Sequence, residues 1–193
     1  MSAPLVIAFL TGQSRPGCCE LSPEQHRFLD GLAGPDCELM RRNFPYRPSE
    51  PFRDVPLLLA SWRNVRGYLA SRRRVFGKTY RDDVAALIAR TERVVFLAGS
   101  SGLELFNNVG LTEADERKCE LICYGPVARR MPRHAGTVIA QSSRDYISQT
   151  FFRRVPGSLT CGHMGYLSDP LFLQICRAQI ARRTSFPCTS IST

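Results

Sequence analysis

A serine flanked by small residues follows a short apolar segment of the chain. Segment 98–102 reads Ala-Gly-Ser-Ser-Gly and comes directly after a β-rich run at 93–98. A serine that attacks an acyl carbon has to project from a sharp turn between a strand and a helix, and the residues two before and two after it must be small. Ala98 and Gly102 meet this requirement around Ser100, whereas a register one residue later would place Leu103 at a crowded position. The spacing therefore favours Ser100 as a nucleophile.

An acid and a histidine follow two later segments that are predicted to be strands. Asp145 comes after the predicted strand 137–141, and His163 comes after the predicted strand 155–160. Parallel strands place the loops at their carboxyl ends along one edge of a sheet. A histidine there can take the proton of a serine, and a carboxylate can fix the histidine tautomer and stabilise the imidazolium. We therefore predict that Ser100, His163 and Asp145 form a catalytic triad.

Other histidines and acids are weaker candidates. His26 lies inside a predicted helix, and His134 follows Arg133, whose positive charge disfavours the imidazolium that catalysis requires. Asp169 precedes Pro170, which is typical of the start of a helix. The Gly-Ser-Ser-Gly segment is also compatible with an ordinary turn or with the phosphate-binding start of a helix. The sequence leaves these two alternatives to the triad open.

Alternating strands and helices have to position these side chains. Apolar runs bounded by Gly, Pro and polar residues predict strands, and apolar residues spaced by three to four predict helices. This alternation predicts the α/β class, as a three-layer α/β/α sandwich around a mostly parallel sheet. We expect one domain over 1–183 and a flexible tail over 184–193. The predicted strands are 5–10, 37–40, 93–98, 119–124, 137–141 and 155–160, and the predicted helices are 23–32, 57–73, 80–91, 102–109, 146–152 and 168–183.

Two of the predicted helices carry further signals. Ser22 precedes Pro23 and has Gln25 three residues later, which predicts an N-cap with a capping box. The helix 57–73 is predicted to be amphipathic, and the sequence leaves open whether segment 43–91 covers a pocket. The apolar residues of that helix are Leu57, Leu58, Leu59, Trp62, Val65 and Leu69, and its polar face carries Arg63, Arg66 and Arg73.

Together these motifs resemble those of the α/β-hydrolase superfamily, over nearly the whole chain. Segment 98–102, Asp145 and the loop 162–164, which reads Gly-His-Met, follow the family's usual order of serine, acid and histidine. The resemblance implies a reduced α/β-hydrolase fold, similar to that of minimal members without a lid. Segment 9–13, Phe-Leu-Thr-Gly-Gln, falls where the family has its oxyanion loop. It implies that the developing oxyanion is held by backbone N–H groups of Ser101 and of Gly12 or Gln13.

The predicted chemistry is transfer of an acyl group through an acyl-serine intermediate. We expect a serine esterase or thioesterase, either a hydrolase or an acyltransferase, that acts on a small acyl ester or thioester. We expect no cofactor and no metal in this chemistry. Peptides are disfavoured as substrates because no segment is typical of an extended peptide-binding edge. The alternative is a catalytically silent hydrolase-fold protein that serves as a binding or scaffold subunit.

The chain is basic, with 26 Lys and Arg residues against 17 Asp and Glu and a net charge of +9, and its only lysines are Lys78 and Lys118. A positive rim would steer an acidic acyl carrier protein toward the pocket, although a solvated, arginine-rich surface is the simpler interpretation. The basic residues are dispersed and not interleaved with aromatics, so we expect no nucleic-acid partner. The arginines available for a rim are Arg63, Arg66, Arg72, Arg73, Arg74, Arg129, Arg130, Arg153, Arg154, Arg182 and Arg183.

The remaining features bear on location. No apolar run is long enough to cross a bilayer, so we expect no membrane span. Segment 1–10 is apolar but lacks the basic start that is typical of a signal peptide. We interpret it as a buried strand, which favours a cytoplasmic protein. The eight cysteines lack the paired spacing of a zinc site. We interpret them as free thiols.

Overall fold

A computed structural model describes residues 5–13, 17–35, 37–47, 56–153 and 159–184 of the chain. Strands and helices alternate along it, as the sequence predicts. The strands are β1 (Leu5–Leu10), β2 (Cys37–Asn43), β3 (Arg93–Gly99), β4 (Cys119–Tyr124) and β5 (Gly136–Ala140). The helices are α1 (Pro23–Asp30), α2 (Leu57–Ser71), α3 (Arg74–Ala89), α4 (Gly102–Val109), α5 (Glu113–Arg117), α6 (Tyr146–Gln149) and α7 (Pro170–Thr184), with a 3-10 turn, Tyr166–Ser168, before α7.

The strands form one parallel sheet in the order β2-β1-β3-β4-β5. The central strands β1, β3 and β4 are almost entirely buried, because a strand covered on both faces has to be apolar on both faces. The chain passes from β1 to β2 on one side and then to β3 on the other side of β1. The order of the strands therefore reverses between β1 and β3, and parallel sheets bind ligands at the carboxyl edge beside such a point.

Two apolar cores lie on the two faces of this sheet. Phe96 of β3 shares one core with Leu105 of α4, together with residues of α3. Its neighbour Leu97 points the other way and shares the second core with Phe28 of α1 and Phe172 of α7. The alternation along β3 thus joins a helix layer to each face, and the predicted three-layer α/β/α sandwich is confirmed.

The start of α1 is as predicted. Ser22 Oγ accepts a hydrogen bond from the N–H of Gln25 (3.2 Å), and the Gln25 side-chain oxygen accepts one from the N–H of Ser22 (2.9 Å). Pro23 occupies the first turn. The complete capping box satisfies N–H groups that a helix start otherwise leaves unpaired.

The region after β5 differs from the prediction. Residues 155–158 of the predicted strand 155–160 lie outside the described residues, and Leu159 and Thr160, which are described, belong to no strand. The helix predicted over 146–152 ends at Gln149. The sequence also did not indicate α5 or the 3-10 turn, because elements of five and three residues are too short to show an apolar period.

Helix α2 forms where its periodicity predicts a helix, but the apolar side chains described on it from Leu59 to Leu69 are not buried. Trp62, Val65 and Leu69 are exposed. The helix packs at its carboxyl end through polar groups instead, since Ser71 Oγ accepts a hydrogen bond from Asn108 of α4 (3.0 Å). The predicted helix is confirmed, and the structure shows that these apolar residues face solvent.

Among the described residues, no helix combines the length and apolar character that a bilayer crossing requires. Residues 1–4 of the apolar amino-terminal segment lie outside the described residues. Of the predicted tail 184–193, the structure describes only Thr184, which ends α7.

Replacement of Gly102 with alanine is expected to lower the free energy of unfolding by about 1–3 kcal/mol or more. A β-carbon at Gly102 would overlap the carbonyl oxygen of Leu10, so α4 and β1 would have to move apart. Gly162→Ala is the matched control, because no atom lies within 4 Å of a β-carbon there. Urea unfolding of the two variants measures the difference, and equal stabilities would contradict the close approach of α4 to β1.

Candidate active site

Ser100 lies at the turn between β3 and α4 in a strained backbone conformation. Its φ is +50°, and among the described residues only glycines share a positive φ with it. Such a conformation costs about 1–3 kcal/mol and persists only when the surroundings hold it. Here the N–H of Ser100 donates to the carbonyl oxygen of Tyr124 (3.1 Å), and the carbonyl oxygen of Ser100 accepts from the N–H of Val127 (2.8 Å). These bonds fix the direction in which the hydroxyl projects.

The structure brings the side chains of Ser100, His163 and Asp145 together. Ser100 Oγ lies 3.2 Å from His163 Nε2. His163 Nδ1 lies 2.9 Å from Asp145 Oδ1 and 3.0 Å from Oδ2. When Asp145 is ionised, Nδ1–H donates to the carboxylate, which leaves Nε2 free to accept the hydroxyl proton. The three groups therefore form a continuous path along which a proton can leave the serine.

The carboxylate of Asp145 is fully buried and has every partner that an ionised acid needs. Besides His163, its Oδ1 accepts a hydrogen bond from the N–H of Ser148 at the start of α6 (3.0 Å), and its Oδ2 accepts one from the hydroxyl of Tyr166 (2.8 Å). Burial raises the pKa of Asp145, but the bonds from His163, Ser148 and Tyr166 outweigh it and leave the pKa below its ordinary value. The acid is thus kept ionised behind the imidazole.

Tyr166 is a site residue that the sequence did not indicate. Its hydroxyl donates to Asp145 and accepts a hydrogen bond from the N–H of Ser142 (2.9 Å), so it joins the loop after β5 to the 3-10 turn. Desolvation raises the pKa of Tyr166 and keeps the hydroxyl protonated as a donor. Gly125 lies beside it at a φ of +51°, where a β-carbon would be 2.7 Å from Asp145 Oδ2. No local pattern marks either residue, since their partners are distant in the sequence.

Hydrogen bonds hold the described part of the loop that carries His163. Ser142 Oγ donates to the carbonyl oxygen of Cys161 (2.5 Å), and the N–H of Ser143 donates to that of Leu159 (3.0 Å). Within the loop, the N–H of Gly165 donates to the carbonyl oxygen of Gly162 (2.9 Å). These bonds fix the loop relative to the end of β5 and so help to position the imidazole.

The loop after β1 lies against the start of α4. A β-carbon at Gly12 would lie 2.8 Å from both Ser101 Oγ and Asn64 Oδ1. The structure thus brings Gly12 and Ser101 side by side, as the two halves of an oxyanion hole require. The side chain of Gln13 turns away and donates to the carbonyl oxygen of Cys18 (2.9 Å), which leaves only its backbone for that role.

Asn43, at the end of β2, holds this loop in place and was not indicated by the sequence. Its Oδ1 accepts from the N–H of Thr11 (3.0 Å), and its Nδ2 donates to the carbonyl oxygens of Thr11 (3.2 Å) and Gly12 (3.4 Å). The side chain is buried, so these bonds are not exchanged with water. The hydrogen bonds of Asn43 therefore fix the conformation of the loop that lies beside Ser101.

The other sequence candidates lie in different surroundings. His134 Nδ1 is 3.6 Å from Glu113 on α5, and His26 is on α1. Asp169 Oδ1 accepts from the N–H of Leu171 (2.9 Å) and caps α7, as the sequence predicts. Within the described ranges, no cluster of three or more His, Cys, Asp or Glu side chains is arranged to hold a metal ion.

Two arginines of the predicted basic rim form ion pairs with a buried carboxylate. The buried carboxylate of Glu104 accepts hydrogen bonds from Arg129 Nε (2.8 Å) and Arg72 Nε (3.4 Å). Burial raises the pKa of Glu104, but the bonds from Arg129 and Asn108 outweigh it and lower the pKa. Arg154 and the side chain of Arg183 lie outside the described residues. The other exposed arginines of that set are spread over the protein: Arg66, Arg73 and Arg74 lie on α2 and at the start of α3, and Arg130, Arg153 and Arg182 lie elsewhere.

The lowered pKa of Asp145 predicts how stability depends on pH. An acid whose pKa is depressed by folding stabilises the protein above its unfolded-state value of about 3.9 and loses that contribution as the pH falls through its folded-state value. From about pH 5 downward, the free energy of unfolding of the wild type is therefore expected to approach that of Asp145→Asn. Urea unfolding of both proteins at several pH values measures this difference, and a difference that grows on acidification would contradict the geometry.

Comparisons of the chain with protein-family models, with curated proteins and with solved structures find no match. What the chain does has to be inferred from the geometry of the site itself.

Proposed function

We propose that the protein is a serine hydrolase of the α/β-hydrolase type, which cleaves a carboxylic ester or thioester through an acyl-serine intermediate. The observation that carries this proposal is the path from Ser100 Oγ to His163 (3.2 Å) and on to Asp145 (2.9 Å), built on a turn at +50°. An ordinary turn or a phosphate-binding helix start needs neither an adjacent base nor a buried acid behind it. Burying an ionised carboxylate is costly unless its oxygens are hydrogen-bonded. The buried and fully bonded Asp145 behind His163 therefore favours a catalytic role over an ordinary turn.

The order of the three residues supports the same type of enzyme. Ser100 follows β3, Asp145 follows β5 and His163 lies in the next loop. This is the order serine, acid, histidine of α/β-hydrolases, with the serine on a sharp turn from strand to helix. Ser100 lies at the carboxyl edge of the sheet, beside the reversal of strand order between β1 and β3, where such a sheet binds its ligand.

In the acylation step, Ser100 Oγ forms a bond to the acyl carbon while its proton passes to His163 Nε2. Asp145 stays ionised and stabilises the imidazolium. The oxyanion collapses, the bond to the alcohol or thiol breaks, and the leaving group takes the proton from His163. Water then attacks the acyl-serine with His163 as the base, which releases the acid and returns the proton to Ser100. An alcohol or thiol acceptor in place of water would make the enzyme an acyltransferase.

We assign the oxyanion hole to the backbone N–H of Ser101 and that of Gly12 or Gln13. Ser101 precedes α4, where helix N–H groups point outward and the helix dipole favours negative charge. Gly12 supports the assignment because it approaches Ser101 more closely than a larger residue could. Removing one donor of this kind typically costs about 10²–10³-fold in rate.

Asn43→Ala is expected to lower kcat by about 10–100-fold with little change in KM, because the loop that holds Gly12 loses the hydrogen bonds of that side chain and a donor moves out of position. The free energy of unfolding should fall by about 1–3 kcal/mol. Asn107→Ala is the control, since its Nδ2 also donates to a backbone oxygen, that of Arg130 (2.8 Å), but on the far end of α4. A kcat for Asn43→Ala equal to that of Asn107→Ala would show that Asn43 serves stability alone.

The proposed function is tested by a panel of p-nitrophenyl esters and acyl thioesters from acetyl to dodecanoyl chains. The wild type should hydrolyse at least one chain length with saturation kinetics, and Ser100→Ala should not. Hydrolysis that persists in Ser100→Ala would place the chemistry elsewhere. No turnover on any member, together with no reaction with a fluorophosphonate, would favour the silent scaffold instead.

A further inference from the structure

Helix α2 presents a row of four apolar side chains to solvent. Trp62, Val65 and Leu69 are 55%, 56% and 52% exposed, and Leu59 on the same stripe is also exposed. Spacings of three and four place them in one row along the helix. Single exposed apolar residues are common, but a continuous row of large ones marks a surface that another body covers.

The opposite side of α2 is polar and packs against the protein. Ser71 is buried, where its Oγ donates to the carbonyl oxygen of Tyr68 (2.7 Å) and accepts from Asn108 (3.0 Å). Asn64, one helical turn before Tyr68, approaches Gly12 in the candidate oxyanion loop. The amphipathic orientation is therefore inverted, and the exposed row lies on the helix that borders the candidate active site.

Further exposed apolar side chains follow the other two triad members. Tyr146 and Ile147 come directly after Asp145, and Met164 directly after His163, and all three are more than half exposed. Phe151 lies beyond α6 and contacts the ring of Tyr68 on α2 with 6.4 Å between ring centroids. Phe151 thus packs against the side of α2 that lies opposite the row, and Tyr146, Ile147 and Met164 are additional exposed apolar side chains next to the triad.

The sequence that carries this surface is basic. Residues 56–81, which span α2 and the start of α3, contain seven Arg and Lys residues and no acid. The Arg66 guanidinium lies 4.6 Å from the centre of the Trp62 ring, and Arg73, Arg74 and Lys78 are exposed at the end of the row. A basic helix with tryptophan and leucine on one side is the pattern of a segment that lies in the interface of an anionic membrane.

We propose that the exposed row of α2, with its flanking arginines, docks the protein on an anionic phospholipid bilayer. The apolar side chains would enter the interface, while the arginines would bind the lipid headgroups, each contributing about 1 kcal/mol at an anionic surface. Docking stands on the α2 surface alone. Its consequence for the substrate rests on the proposed function: docking would hold the enzyme close to acyl esters that reside in the membrane.

An acidic carrier protein would be attracted by the same charges, but this attraction does not explain why the apolar row of α2 is exposed. Charge steering works through a solvated rim, whereas burying Trp62, Val65 and Leu69 calls for an apolar medium. The competing occupants are therefore distinguishable by whether binding requires the apolar row as well as the charge.

Trp62 is the only tryptophan of the chain and serves as the probe. With Ser100→Ala protein, so that no lipid is consumed, emission is recorded against vesicles of phosphatidylcholine alone and of phosphatidylcholine with phosphatidylglycerol. We expect a blue shift and co-sedimentation with the anionic vesicles, both weakened by salt. Because the protein carries Ser100→Ala, failure of docking and failure of hydrolysis are separate results.

Two pairs of variants test the surface. Val65→Ser with Leu69→Ser should weaken vesicle binding by about tenfold or more. Arg73→Gln with Arg74→Gln should weaken it by about 25-fold, since about 1 kcal/mol per charge is about fivefold each. Arg27→Gln with Arg177→Gln removes the same charge from α1 and α7 on the opposite layer and should change binding less than threefold.

Three results would overturn the proposal. No blue shift at any vesicle composition would exclude insertion of the row. A shift that grows with protein concentration without lipid, with dimers in sedimentation velocity, would assign the row to a second copy of the chain. Equal loss of binding in the α2 and the α1–α7 charge variants would show that net charge, not this surface, binds the vesicles.

Discussion

Ser100→Ala is expected to lower kcat by about 10⁶-fold on the best ester of the panel, and His163→Ala by nearly as much. The double variant should lose no more than the single variants, because the hydroxyl and the imidazole act as one unit across the 3.2 Å between Oγ and Nε2. Single-turnover and steady-state kinetics measure the loss, and urea unfolding shows that the variants are folded.

Ser101→Ala is the matched control for this prediction. The neighbouring serine contributes only its backbone N–H to the proposed chemistry, and alanine retains that group, so kcat should stay within about tenfold of the wild type. A larger loss in Ser101→Ala than in Ser100→Ala would mean that the nucleophile register is shifted by one residue. Additive losses in the double variant would mean that His163 does not act on Ser100.

Asp145→Asn is expected to lower kcat by about 10⁴-fold while the fold is retained at neutral pH. The amide is similar in size to the carboxylate but cannot stabilise the imidazolium, and its NH₂ group favours the wrong tautomer of His163. Asp169→Asn is the matched control, because Asp169 is the other candidate acid of the sequence. Its Oδ1 caps α7 by accepting a hydrogen bond from the N–H of Leu171 (2.9 Å). Its kcat should stay close to that of the wild type, and a reversed ranking of the two variants would assign the acid to Asp169.

The proximity of the three side chains was predictable from sequence because it follows from local signals and one rule of topology. The small residues around Ser100 mark a tight turn, and apolar runs before Ser100 and Asp145 mark parallel strands that end at one edge of the sheet. Of the strand predicted before His163, only Leu159 and Thr160 are described, and they belong to no strand. Hydrogen bonds from Ser142 and Ser143 to the carbonyl oxygens of Cys161 and Leu159 hold the described part of that loop.

The residues that support the site were not predictable. Asn43 reaches Thr11 across 32 positions, and Tyr166 reaches Ser142 across 24 positions. A buried asparagine or tyrosine has no spacing rule, because its partners depend on how the loops meet in the folded protein. Such residues follow from hydrogen-bond accounting in a structure rather than from periodicity.

Helix α2 shows a second limit of prediction from sequence periodicity. Its period established a helix with one apolar side, but a period says nothing about what that side faces. The polar contact between Ser71 and Asn108 decides the orientation, and Asn108 lies on a helix that pairs with α2 only after folding. The inverted orientation is therefore information that only the structure supplies.

The central claim is that Ser100 is an activated nucleophile. Intact-mass measurement after reaction with a fluorophosphonate, followed by mapping of the modified peptide, tests it without knowledge of the substrate. We predict one added phosphonyl group on Ser100 in the wild type, slow labelling in His163→Ala and none in Ser100→Ala. Unmodified wild-type protein, or equal labelling of Ser100→Ala, would contradict the claim.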